Sequence, residues 1–209
     1  MPTAEFIRAA EDAGLINTVI DYVLGSAMRQ VLQWRADGTR DLHLAVNVSG
    51  VLVWDRSLIP LVERHLRETQ FPPSALELEI TETTVMRSAS STLDALVALK
   101  QLGIQLAVDD FGTGYSSLSR LQTFPVDALK MDKSFVHGIE SEKDRGALAR
   151  AIIVMAHSLG LVVTAEGVAT EKQVAFLESH GCDRLQGDYL SAPRPPQELL
   201  SEAILSRKS

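Results

Sequence analysis

Leu102-Gly103-Ile104-Gln105-Leu106-Ala107-Val108-Asp109-Asp110 reads as a helix end, a glycine stop, a short apolar strand and two carboxylates where that strand ends. Glycine just past a helix supplies the left-handed residue that caps it. The apolar run that follows is short and bounded by punctuating residues, so Gln105 to Asp109 is expected as a strand. Leu159-Gly160-Leu161 and His180-Gly181-Cys182 repeat the pattern, each glycine leading directly into a strand. Working outward, the other expected strands are Leu42 to Val48, Leu76 to Thr81, Ala128 to Met131, Leu161 to Ala165 and Arg184 to Tyr189. Helical stretches of roughly ten to fifteen residues separate them, the pattern of α/β alternation. Ala4 to Trp34 carries apolar residues at helical spacing broken at Gly14, which predicts two leading helices. Thr170 with Gln173 fits a capping box, and Pro72-Pro73 disfavours helix before the strand at Leu76.

Strands that are apolar on both faces belong in parallel sheets covered by helices, and consecutive βα units fit an open doubly wound sheet or a barrel. The polar residues favour the barrel. Each expected strand carries one at or near its C-terminal end: Asn47, Glu79, Asp109, Lys130, Glu166 and Gln186. Two residues upstream, on the same face, stand Ala45, Glu77, Ala107, Ala128 and Thr164, small or polar, while the opposite face is aliphatic. One small and polar face opposite one aliphatic face is the pattern of strands lining a barrel interior and backed by helices. Barrel sites are built at the C-terminal strand ends, so the six polar residues are expected to converge on one rim. Any one of them alone could equally be a buried structural group satisfied by backbone donors or an ion pair.

The chain has 209 residues, 45% of them hydrophobic, enough for one core, and residues 1–209 are expected to form one domain. A formal net charge of -7 argues against a duplex nucleic-acid partner, which requires a basic face, while leaving a small phosphate ligand open. Cys182 is the only cysteine and reads as a buried, inert thiol, in keeping with a reducing cytoplasm. No basic stretch leads into an apolar run at the N-terminus, and no apolar window approaches about 18 residues, so neither a signal peptide nor membrane contact is expected. The histidines show no ligand-like spacing and are expected to be structural or exposed.

Asn47, Glu79, Asp109 and Asp110 offer hard oxygen donors, which suit Mg²⁺ or Mn²⁺ better than Zn²⁺. The adjacent pair Asp109 and Asp110 could serve two ions, and two ions about 4 Å apart are suited to hydrolysing a phosphodiester. Lys130 is placed to orient a water or neutralise charge developing at phosphorus, and Glu82 to hold a loop closed.

The stretch Asp109-Asp110-Phe111-Gly112-Thr113-Gly114-Tyr115-Ser116-Ser117-Leu118 resembles the DDFGTGYSSL loop of EAL domains, phosphodiesterases that act on cyclic di-GMP. Val46-Asn47-Val48-Ser49, Glu77-Leu78-Glu79-Ile80-Thr81-Glu82, Leu129-Lys130-Met131-Asp132, Ala165-Glu166-Gly167-Val168 and Gln186-Gly187 stand around it in the family's order. The resemblance implies a TIM-like (β/α) barrel with Asn47, Glu79, Asp109, Asp110 and Glu166 as metal ligands. It implies Lys130, Glu166, Glu82 and Asp110 as the catalytic set, and Gln186, Asp132 and Gly187 as substrate contacts. Phe111, Gly112, Thr113 and Gly114 would form the functional loop. The implied reaction is hydrolysis of cyclic di-GMP to linear pGpG with two Mg²⁺ or Mn²⁺ ions. Implied partners are a second copy, through the Asp110 to Phe135 region, and upstream sensory or GGDEF domains in a parent protein.

The chain departs from the family pattern in one respect. The family's Glu-Ala-Leu motif, its first strand and a phosphate-binding arginine precede the segment resembling Ala4 to Leu15 and have no counterpart here. A barrel with about six of eight strands is therefore expected, with edges near Leu44 and Leu185 that favour pairing with another chain, and with impaired activity. A receptor that binds cyclic di-GMP or a protein without cleaving it is the alternative reading, and a remnant unable to fold alone is a third.

Overall fold

The computed structural model describes residues 2–38, 42–87, 89–113, 121–139 and 143–199. Two helices lead, α1 (Thr3–Asp12) and α2 (Ile16–Ala36). They are followed by β1 (Leu44–Asn47), α3 (Gly50–Trp54), α4 (Leu58–Thr69), a 3-10 turn (Pro73–Ala75) and β2 (Leu76–Thr81). Next come α5 (Glu82–Arg87), α6 (Ala89–Gln101), β3 (Gln105–Phe111) and β4 (Ala128–Met131). The last elements are α7 (Lys133–His137), α8 (Lys143–Ser158), β5 (Val162–Ala165), α9 (Glu171–Ser179) and β6 (Arg184–Leu185). Within the described residues no helix is long and apolar enough to cross a membrane.

All six expected strands form, and they build one parallel sheet in chain order, β1-β2-β3-β4-β5-β6. The sheet curls. From β2 to β6 there are four strand spacings of about 4.8 Å, so in a flat sheet the two strands would lie roughly 19 Å apart. Arg184 of β6 nevertheless donates to the Glu77 carboxylate of β2 at 2.9 Å, which only an arc bent towards closure permits. Among the described residues, β1 pairs only with β2 and β6 only with β5, leaving an open edge at each end of the arc.

The aliphatic face of each strand meets the helices. Leu76, Leu78 and Ile80 of β2, Leu106 and Val108 of β3, and Leu129 and Met131 of β4 are at most 1% exposed. α6 packs on β3 and α8 on β4 and β5, while α2 packs on β1 and α4, with its buried Ile20, Leu24, Met28 and Val31 spaced to fall on one stripe. The predicted capping box forms, Thr170 Oγ1 accepting from Gln173 N while Gln173 Oε1 accepts from Thr170 N. Gly103, Gly160 and Gly181 all take positive φ, as expected of helix stops.

The boundaries shift where backbone geometry overrides pattern. β3 runs on to Phe111, and its register with β4 breaks between Val108 and Phe111, where Asp110 takes φ 54°. β6 is shorter than the expected Arg184 to Tyr189, because the chain turns at Gly187, whose carbonyl accepts from Leu190 N and Ser191 N. Pro73 opens a single 3-10 turn rather than simply blocking helix, because a proline at the first helical position loses no hydrogen bond. His65 is buried and bonds Asp21 at 2.5 Å through Nε2, and His157 bonds Asp183 at 2.8 Å, so these two are structural.

Candidate metal and phosphodiester site

Strand register carries the polar residues to one end of the arc. Asn47 lies opposite Glu79, Thr81 opposite Asp109, and Lys130 opposite Thr164, with Glu166 just past the end of β5. At the centre stands Lys130, 2% exposed, with its Nζ 2.6 Å from Glu166 Oε1, 2.8 Å from Glu79 Oε1 and 3.5 Å from Asp109 Oδ1. Asp110 projects at the rim, and its carboxylate oxygen lies within 4.8 Å of those of Asp109 and Glu166. Asp110 N donates to Asp109 Oδ1 at 2.9 Å, which ties the two neighbours together.

Charge balance explains the electrostatics. Glu79, Asp109 and Glu166 face one ammonium, so the cluster carries a surplus of negative charge in a poorly solvated place. Burial raises the pKa of Glu79 and Glu166 above the usual carboxylate range in spite of the opposing pull of Lys130. Asp110 is raised as well, by burial and then by the charge of Asp109. Burial alone would lower Lys130, but its bonds to Glu166 and Glu79 outweigh that and hold it firmly protonated. A buried surplus of oxygen-borne negative charge fits divalent hard cations, and Asp109, Asp110 and Glu166 present their oxygens close enough together to hold one.

Below the rim, Glu79, Lys130, Thr164, Arg184 and Gln186 line a cavity of about 500 Å³ on the inner side of the arc. Glu82 Oε2 accepts from Gly112 N at 2.9 Å, which ties the segment after Asp109-Asp110 to the start of α5. Phe111 is buried, and Thr113 Oγ1 donates to Asp110 O. Gly114, Ser116 and Ser117 lie outside the described residues. Asn47 stands at the exposed end of β1, level with Glu79.

Two expected substrate contacts have evident structural tasks. Asp132 caps α7, accepting from Ser134 N at 2.9 Å; burial would raise its pKa, yet the Ser134 donors outweigh this and hold it low. Gly187 crosses the backbone of Val168 so closely that a β-carbon there would stand 2.2 Å from Val168 O. Sequence reading did not single out Arg184, although it lies two residues before Gln186 and so on the same strand face. It also missed Ser49, whose Oγ donates to Glu11 Oε1 at 2.6 Å and fastens α1 to the turn after Asn47.

Fold and site together define a parallel (β/α) barrel-type chain with an acidic, oxygen-donor centre at the C-terminal strand ends. The profile of the EAL domain family matches residues 1–193, and the chain belongs to that family. It is similar to the signaling protein YkoW of Bacillus subtilis, at 41% identity over 94% of this chain and 24% of the relative. It is also similar to MucR of Pseudomonas aeruginosa, a bifunctional diguanylate cyclase/cyclic di-GMP phosphodiesterase, at 39% identity over 94% of this chain and 29% of the relative. A solved structure described as the PaMucR phosphodiesterase in complex with c-di-GMP superposes with a TM-score of 0.91 at 38% identity, covering 95% of this chain and 81% of that one. The chain thus spans about a quarter of the length of these curated relatives.

Proposed function

We propose that this chain hydrolyses one phosphodiester bond of cyclic di-GMP to give linear pGpG, with two Mg²⁺ or Mn²⁺ ions held by Asn47, Glu79, Asp109, Asp110 and Glu166. The observation that carries this reading is the buried cluster of Glu79, Asp109 and Glu166 around Lys130, with Asp110 beside it, in a chain of the EAL family. Bound divalent cations supply Lewis-acid polarisation of a phosphodiester and a strong oxygen nucleophile at neutral pH. Lys130, fixed among three carboxylates, orients the attacking water and offsets negative charge as it builds at phosphorus. Glu166, held 2.6 Å from Lys130 Nζ, stands beside the water and the ions it helps to hold. Glu82 keeps Asp110 in place through Gly112, and Gln186, Asp132 and Gly187 border the bound nucleotide. The chain acts as one domain over residues 1–209, in the cytoplasm, as a homodimer, under sensory or GGDEF domains of a longer parent protein.

The test is incubation with cyclic di-GMP and Mn²⁺, with products resolved by chromatography, for this chain and for Asp109→Asn. Release of pGpG by the parent and none by the variant supports the reading. Tight cyclic di-GMP binding with no pGpG, in this chain and in its full-length parent, overturns it in favour of a receptor.

A further inference from the structure

β4 lies between β3 and β5 in the sheet, so the helix that follows it lies between the segment after β3 and the segment after β5. That helix is α7, only Lys133–His137, capped by Asp132 and anchored in the core by Val136, which is 0% exposed. On one side its Phe135 ring occupies the space a side chain at Gly112 would need: a β-carbon on Gly112 would stand 2.6 Å from ring atoms Cε2 and Cζ. On the other side Lys133 presses on Gly167, where a β-carbon would stand 2.5 Å from Lys133 Cβ and 3.3 Å from His137 Nε2. Gly112 follows Asp110 by two residues, and Gly167 directly follows Glu166. Both glycines take positive φ, 96° and 68°.

Asp110 itself holds φ 54°, a left-handed conformation that is strained for a non-glycine residue and persists where its surroundings enforce it. The enforcing contacts reach it through Gly112, whose amide is held by Glu82 while its α-carbon rests on the Phe135 ring.

We propose that α7 is a spacer that sets the separation of the Asp110 and Glu166 carboxylates, with Phe135 and Gly167 as its positioning residues. The helix is rigid because Val136 and the Asp132 cap fix it to β4, and it meets both carboxylate-bearing segments at points that admit no side chain. Loosening either contact lets one carboxylate drift from the other. The proposal rests on the reading that these carboxylates hold divalent cations, so its test includes a measurement on the metal-free protein.

Hydrogen exchange at the Gly112 amide in metal-free protein, and Mn²⁺ affinity by calorimetry, are compared for the parent, Phe135→Ala, Phe135→Leu and Gly167→Ala. Phe135→Ala is expected to speed Gly112 exchange while leaving the β2 amides unchanged, and to weaken Mn²⁺ about tenfold, in the range typical of groups that orient metal ligands. Phe135→Leu, which refills most of the space, is expected to restore both. Gly167→Ala is expected to weaken Mn²⁺ without altering Gly112 exchange. Unchanged exchange and unchanged Mn²⁺ affinity in Phe135→Ala would overturn the proposal. A parent chain that binds no Mn²⁺, while Phe135→Ala still accelerates Gly112 exchange, would instead overturn the metal reading and leave the mechanical coupling in place.

Discussion

Replacing Lys130 with methionine keeps most of the side-chain volume and removes the only ammonium within 4 Å of Glu79, Asp109 and Glu166 among the described groups. Lys130 and Glu79 are 3% and 6% exposed at the side chain, so the carboxylates left behind cannot simply re-hydrate. Removing one partner of a buried ion pair costs about 3–5 kcal/mol, chiefly because the other charge stays buried. Against a typical folding stability of about 5–15 kcal/mol, Lys130→Met should therefore remain folded but with a much lower urea midpoint near pH 8. Its pH dependence follows from the direction of the carboxylate shifts. Burial already raises Glu79 and Glu166, and losing Lys130 removes what opposes that rise. Groups whose pKa is higher folded than unfolded bind more protons in the native state. Their stabilising contribution is full below the unfolded value and is lost as pH rises through the folded one. Lys130→Met should thus regain stability as pH falls from 8 towards 5, by at most about 1.4 kcal/mol per pH unit for each proton taken up. Mn²⁺ at pH 8 should stabilise the variant more than the parent, since it meets a larger unbalanced charge. Urea titrations at pH 5, 6.5 and 8, with and without Mn²⁺, make the comparison. A loss below about 1 kcal/mol that does not vary with pH would refute the reasoning, since it would mean the carboxylates are solvated in the folded chain.

Glu82→Ala leaves Gly112 N without its carboxylate acceptor, a charged hydrogen bond of about 1.5–3 kcal/mol; kcat/KM for cyclic di-GMP should fall at least about tenfold, and undiminished turnover would contradict the holding role of Glu82. Asp183 accepts from Val163 N and from His157, and these donors hold its pKa below the usual value although burial opposes them. Its stabilising effect is therefore present above the ordinary carboxylate range and lost as pH falls through its lowered value. Asp183→Asn should cost less than about 1 kcal/mol at pH 7, because the pair is partly exposed, and the gap to the parent should close on acidification; a gap that widens in acid would reverse the sign argued here. Thr170→Ala removes the side-chain half of the α9 capping box and should lower stability by about 1 kcal/mol in urea melts, with no change in Mn²⁺ affinity.

What could be read from the sequence was whatever repeats along the chain. Glycine stops, apolar runs and the period of two within strands located six strands and placed Asn47, Glu79, Asp109, Lys130 and Glu166 at one end of them. The charge surplus among Glu79, Asp109 and Glu166 follows from that placement once the strands are known to be neighbours in order. The ends of β3 and β6 could not be read, because Asp110 leaves the extended conformation inside an apparent strand and Gly187 is turned aside by the backbone of Val168.

Contacts between elements distant in sequence carry no local signature. Arg184 looks like one more polar residue at a strand start, and only the curvature of the sheet brings it within 2.9 Å of Glu77, 107 residues earlier. Phe135 looks like an ordinary apolar position of a one-turn helix, because its role depends on the absence of a side chain at Gly112 on a different segment. In both cases one partner is informative only when the other is known. A cluster of polar side chains on strand ends can therefore be located from sequence, while the parts that fix the distances between those side chains emerge only when the strands are assembled.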